Sequence, residues 1–350
     1  MATRTRTRGT VASKPARSRA ATNSLPSAHT QVAEIQRARL LAGAVRAVDE
    51  LGYTRATVTD ITERSRVSRR TFYELFSNYE DCTLALLELT FERVGSQIAA
   101  AGLAALPWRE RVRGGLWSIL CFFDREPALA RFCVAQSARG GQRMLERREQ
   151  ILSELVALVN EGRGEGARGT DCPPLTAEGL VGAAVSILYA RLSRREREPL
   201  TGLHGELMAL IVLPYLGPAA ARREQSRPAP APSIAHTAQG DGGANGKQAD
   251  VGGDPLQGIP MRLTYRTVRV LEAVAERPGA SNRIVGDRAG IQDQGQISKL
   301  LARLKHLGLL ENTGEGGNTK GEPNAWRLTP QGEQVTQTIR AHAHNNGQVA

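Results

Sequence analysis

Residues 57–76 read TVTDITERSRVSRRTFYELF. Thr57 is a good helix N-cap, and Asp60, three residues on, partly mimics a capping box. Val58 and Ile61 give a short first helix its buried side. Ser65-Arg66-Val67 makes a turn, and Ser68 caps a second helix. On that helix Phe72, Leu75 and Phe76 recur at i, i+3 and i+4 and must face a core. A helical wheel then turns Arg70, Tyr73 and Glu74 outward, with Arg69 and Thr71 on the flanks. Such a helix grips its scaffold with one side and offers donors to base edges and phosphates from its N-terminal half. Arg64, Arg66, Arg69 and Arg70 place four positive charges within seven residues, although residues 31–95 carry a net charge of −1. The bland alternative is a helical hairpin with a charged face. It does not explain why the arginines coincide with the start of the second helix, so the stretch reads as a helix-turn-helix.

Around this stretch, residues 35–95 resemble the N-terminal domain of the TetR (tetracycline-repressor-like) regulators. The resemblance runs through Gly52-Tyr53, Thr57-Val58-x-Asp60-Ile61, Val67-Ser68, Thr71-Phe72-Tyr73-x-x-Phe76 and Glu80-Asp81. It implies a helix-turn-helix that binds double-stranded operator DNA as a homodimer. It also implies a helical C-terminal domain that dimerises and holds an effector pocket. Residues 96–218 match only in helical character and size. Two positions depart from the pattern. Arg66 stands where the family usually has Gly, at a cost of ~1–2 kcal/mol if the turn is left-handed. Tyr79 stands where the family often has Lys, so a phosphate contact passes to its hydroxyl. The candidate DNA contacts on this unit are Thr57, Thr59, Ser68, Arg69, Arg70, Thr71, Tyr73 and Tyr79.

Before this unit, residues 1–30 hold six basic residues, no acid and almost no large apolar side chain. They cannot bury enough surface to fold, and read as a disordered basic arm: a phosphate-contacting arm, a solvated tail or a targeting peptide. This arm holds more than half of the +11 net charge of the 350-residue chain, so its basicity alone does not make a folded domain bind nucleic acid.

After it, 96–218 reads as a helical effector-binding and dimerisation domain. Val181, Val185, Leu188 and Leu192 form one apolar stripe, and Leu203, Leu207, Leu210 and Leu213 a second. Two such helices per subunit predict a four-helix dimer interface, with packing inside the monomer as the alternative. Trp117, Phe122, Phe123, Phe132 and Tyr189 gather many of the chain's few aromatics here. Core packing is the plain reading. The sharper one is an effector pocket around Trp117, Phe122, Phe132, Gln136 and Tyr189, with Gln136 and Arg131 as polar anchors for an unknown small molecule.

Residues 219–258 are rich in Pro, Gly and Ala and read as a flexible linker. Residues 259–340, with net charge +4, read as a small α+β winged helix domain, and 341–350 as a disordered tail. Ser281 caps one helix, which Gly290 ends. On the next, Ile297, Leu300, Leu301 and Leu304 are buried, and Gly295, Lys299, Ala302 and His306 face out. Leu309–Asn312 and Asn324–Thr329 make the hairpin. Trp326-Arg327-Leu328-Thr329-Pro330-x-Gly332 resembles the MarR-like winged helices. Gln292, Gln296, Ser298, Lys299, Arg303 and Lys320 are the candidate DNA contacts. A protein-docking role for this domain is the alternative. A linker of about 40 residues has a span of ~35 Å, enough to hold both readers on one duplex.

Other chemistry is not expected. Gly164-Glu165-Gly166-Ala167-Arg168-Gly169 matches a dinucleotide fingerprint literally, but no strand precedes it, and it reads as a loop. The six histidines show no metal-ligand spacing, and no nucleophile elbow or Walker loop is present, so neither enzyme nor cofactor is predicted. The longest apolar stretch, Val181–Ala190, is half the ~20 residues a membrane span needs. Four scattered cysteines fit a reducing cytoplasm. The whole reads as a mainly α, cytoplasmic, ligand-responsive regulator of transcription, more remotely as an adaptor that binds no DNA.

Overall fold

The computed structural model describes residues 28–165, 167–194, 198–230, 256, 263–314 and 324–345. Most of the expected arm and linker, the wing tip with Lys320, and the last five residues lie outside them. The described chain is mainly α, with one small antiparallel sheet near its C-terminal end.

The N-terminal unit has four helices: α1 (Ala28–Leu51), α2 (Val58–Ser65), α3 (Arg69–Leu75) and α4 (Tyr79–Ala100). Thr57 caps α2 as expected, and the capping box with Asp60 is complete. The hydrogen bonds from Thr57 to the Asp60 carboxylate, and then the nearby Arg64, hold that carboxyl below the usual range. Gly43 lets α1 and α2 meet closely, because a Cβ there would stand 2.8 Å from the Ile61 carbonyl oxygen. The turn between α2 and α3 is left-handed at Arg66 (φ 56°, ψ 30°). Its side chain is exposed. Arg66→Gly is therefore expected to raise stability by about 0.5–1 kcal/mol, the relieved strain less the extra freedom of glycine in the unfolded chain. A denaturant midpoint that stays or falls would show that the arginine side chain offsets the strain.

The middle unit follows as α5 (Trp108–Arg125), α6 (Pro127–Arg131), α7 (Gln142–Asn160), α8 (Ala167–Thr170), α9 (Thr176–Ser193), α10 (His204–Leu216) and α11 (Pro218–Ser226). A π-helical turn over Phe132–Gln136 leads out of α6. Of the stretch read as a loop, Gly164 and Glu165 fall in a 3-10 turn and Ala167–Gly169 in α8, with no strand beside them among the described residues. Residues 219–226, read as linker, belong to α11. Its Ala220, Ala221 and Glu224 are buried. Glu224 meets Arg113 of α5 at 2.6 Å, with side chains 1% and 3% exposed. Arg113 also donates to the Pro228 carbonyl at 2.5 Å.

The first two units share one core. Leu40, Val48, Ile61, Phe72 and Leu86 pack in the same cluster as Leu120, Phe122, Leu129, Phe132 and Leu188. Helix α4 crosses residue 95, where the sequence suggests a boundary.

The C-terminal unit has α12 (Tyr265–Glu276), α13 (Asn282–Ala289), α14 (Gln294–His306), β1 (Leu310–Asn312), β2 (Trp326–Leu328) and α15 (Pro330–Asn345). Leu310 pairs with Leu328 and Asn312 with Trp326. Gly332 is required because a Cβ there would lie 2.0 Å from the Leu309 carbonyl oxygen. This unit is not merely tethered. Its core includes Val32 and Ile35 from the first turns of α1, and the Gln36 amide donates to the Leu263 carbonyl at 2.9 Å.

Candidate nucleic-acid interface

Ser68 caps α3, accepting from the Thr71 N–H at 3.0 Å, and the Thr71 hydroxyl lies 2.8 Å from that of Ser68. Phe72 is fully buried, and Phe76 packs beside it under the Arg37 guanidinium. That anchoring leaves Arg69, Arg70 and Tyr73 in solvent. Arg70 pairs with Glu74 at 2.9 Å, but the pair is 89% and 55% exposed and easily exchanged for another partner. Thr57 and Thr59 are exposed at the start of α2.

Two residues differ from expectation. Arg64 belongs to the scaffold: it pairs with Glu50 at 2.7 Å and donates to the Asp60 carbonyl. The exposed cations of the motif are thus Arg66, Arg69 and Arg70. Tyr79 is partly buried, and its hydroxyl donates to the Tyr53 carbonyl at 2.9 Å. Burial raises its pKa, followed by the repulsion of nearby groups. Its proton is committed inside the fold, so it is a poor substitute for a phosphate-binding lysine.

The middle unit meets this motif through polar links. Arg131 holds Asp49, near the end of α1, with two hydrogen bonds of 2.6 and 2.8 Å. The Gln136 side-chain oxygen accepts from the Tyr53 N–H at 3.2 Å. The sequence suggests both as polar anchors for a ligand; they instead tie the middle unit to the helix-turn-helix. Phe122 and Phe132 are core residues, Trp117 packs edge-on against His204, and Tyr189 is 44% exposed.

On the C-terminal unit, Gln292, Gln296, Ser298, Lys299 and Arg303 are all exposed. Asp293 caps α14, and its hydrogen bonds to the Gln296 and Gly295 N–H groups lower its pKa. Arg266 donates to Gln296 at 3.0 Å. Asn282 accepts from the Trp326 indole at 2.6 Å and donates to Ser298 at 3.0 Å, fixing the hairpin against α13 and α14. A groove of about 730 Å³ opens there, with Lys305, His306, Asn312 and Asn324 on its walls. Sequence reasoning did not find it, since its asparagines come together only through the hairpin register. Among the described residues no helix is long and apolar enough to cross a membrane, and no His, Cys, Asp and Glu cluster is arranged to hold a metal.

Residues 40–86, which contain the second half of α1, α2, α3 and the start of α4, match the family described as "Bacterial regulatory proteins, tetR family". No curated protein matches the chain. Among solved structures, the fatty acid degradation regulator FadR from Bacillus halodurans is 19% identical, with a TM-score of 0.46 over 51% of this chain and 94% of that one. The transcriptional regulator FadR from Bacillus subtilis, solved in complex with stearoyl-CoA, is 18% identical, with a TM-score of 0.42 over 50% and 96%. A TetR-like transcriptional regulator from Rhodococcus sp. RHA1 is 19% identical, with a TM-score of 0.43 over 51% and 94%.

Proposed function

We propose that the chain is a DNA-binding regulator of transcription that reads operator duplex through α3 as a homodimer and is released by a small-molecule effector. The observation that carries this reading is α3 itself: a capped helix held by the buried Phe72, with Arg69, Arg70 and Tyr73 turned to solvent. The tetR-family match over residues 40–86 supports it. Arg69 and Arg70 suit guanine edges and phosphates, and Tyr73 a phosphate or a thymine methyl. The links from Arg131 and Gln136 give the middle unit a hold on the helix-turn-helix. An effector there acts by favouring an arrangement in which two copies of α3 no longer match half-sites one turn apart. Selection from random duplex with the full chain tests the reading. An enriched inverted repeat is expected, and failure to enrich any sequence would remove it.

Much of the two stripes named from sequence turns inward. Val181, Leu188, Leu192 and Leu207 are buried within the subunit. The free side of α9 carries Gly179, Gly182, Ser186, Ile187 and Tyr189, and Leu213 is exposed on α10. Between Glu178 and Arg191 helix α9 carries no charged side chain, so this open face is the one that calls for a partner. Gly179 and Gly182, with open space where a Cβ would stand, allow close helix approach. Gly182→Arg is expected to shift the chain from dimer to monomer at micromolar concentration in sedimentation. A dimer of unchanged affinity would move the interface elsewhere.

A further inference from the structure

The seat of the C-terminal unit changes what it can do. Val32 and Ile35 are buried, and both belong to that unit's core rather than to the core around α2 and α3. Gln36 and Gly43 are seven residues apart on α1, nearly two full turns and about 10 Å along one face. At Gln36 that face holds Leu263, and at Gly43 it holds α2. The C-terminal unit and the helix-turn-helix are therefore neighbours on one side of one helix. The docking contacts come from α12 and α15. They leave the outer face of α14 open, with Gln292, Gln296, Lys299 and Arg303 in solvent. Residues 294–306 contain Lys299, Arg303, Lys305 and His306 and no acid, a surface that suits a polyanion.

We infer that the C-terminal unit is a fixed part of the DNA-reading head, placing α14 on the duplex that flanks the stretch read by α3. The inference rests on the regulator reading above and adds the partner of α14 and its geometry. A unit of this size has a radius of gyration of about 11 Å. Seated about 10 Å from α2 along α1, its contact falls within about one turn of duplex, ~34 Å, of the α3 contact. A tethered reader tolerates changes in that spacing, and a docked one does not.

The test uses the full chain, duplex selected from random sequence, and three readouts: hydroxyl-radical footprint, affinity, and amide exchange of residues 28–37. An inner and an outer protected patch are expected in each half-site. A 5-base-pair insertion between them turns the outer site to the far side of the duplex and should lower affinity ~10²-fold. Lys299→Ala/Arg303→Ala should erase the outer patch and leave exchange at 28–37 slow. Ile35→Asp should erase the outer patch and also make that exchange fast, with the inner patch intact. An outer patch that moves with the insertion at undiminished affinity overturns the inference in favour of a tether. Slow exchange with no outer patch overturns it in favour of protein docking by α14. Fast exchange in the unaltered chain removes the docking itself. If no duplex is selected, the regulator reading falls, while slow exchange would still record the seat on α1.

Discussion

Glu224→Ala is expected to destabilise the middle unit by about 3–5 kcal/mol, the cost of leaving one buried charge without its partner. Arg113 and Glu224 meet at 2.6 Å with almost no solvent access, and Arg109 and Arg227 approach the same carboxylate at 3.5 and 3.7 Å. Removing it leaves Arg113 with the Pro228 and Arg227 carbonyls as acceptors, and Glu110 already paired with Arg227. Denaturant unfolding followed by fluorescence reads this directly, since Trp108 and Trp117 both lie in α5. The double replacement Arg113→Met/Glu224→Leu should recover most of the loss, because the desolvation cost of both charges goes with them. A single replacement costing less than about 1 kcal/mol would mean that water or a relaxed α11 satisfies the arginine.

Arg70→Ala/Tyr73→Ala is expected to weaken binding to selected duplex by at least ~10²-fold while the dimer and its unfolding stay unchanged. A base-reading arginine contributes ~1–3 kcal/mol, and Tyr73 adds a second contact from the same exposed face. Neither side chain supports the core: Tyr73 is 52% exposed and touches Phe72 only edge-on, and the Arg70–Glu74 pair is open to solvent. The loss should be larger on the selected sequence than on random duplex, because a base contact carries specificity and a phosphate contact does not. Equal affinity of the folded double variant would take α3 out of the interface. An equal loss on all sequences would reduce these residues to phosphate contacts.

What the sequence could disclose was local. The capping box at Thr57 and Asp60, the strained turn at Arg66 and the buried face at Phe72 and Phe76 each depend on residues within one or two helical turns. Long-range pairing was hidden. Residues 219–226 look like linker because Ala and Arg dominate just ahead of a run of prolines; they fold because Glu224 finds Arg113 more than a hundred residues away. Val32 and Ile35 continue the apolar face of α1 and read as part of its own unit, yet they belong to the core of another. The leucine stripes of α9 and α10 were visible, but spacing cannot say whether such a stripe turns inward or toward a partner. Gln136, Arg131 and Tyr79 were legible as polar groups near a functional region. Their commitment to Tyr53 and Asp49 depends on the packing of α4 and the π-helical turn against the end of α1.

The core that joins the first two units has a thermodynamic meaning. Phe72 beneath α3 and Phe132 beside the π-helical turn lie in one apolar cluster that continues to Leu188 of α9. A chain cut at residue 95 would therefore expose a sheared hydrophobic face rather than end a domain. Melting of the N-terminal and middle units is accordingly expected as one cooperative event. Whatever binds either part and not the unfolded chain stabilises both by the same RT ln(1 + [L]/Kd). On the reading proposed above, ligands of the two parts are thus coupled to one folding equilibrium, even where no side chain touches both.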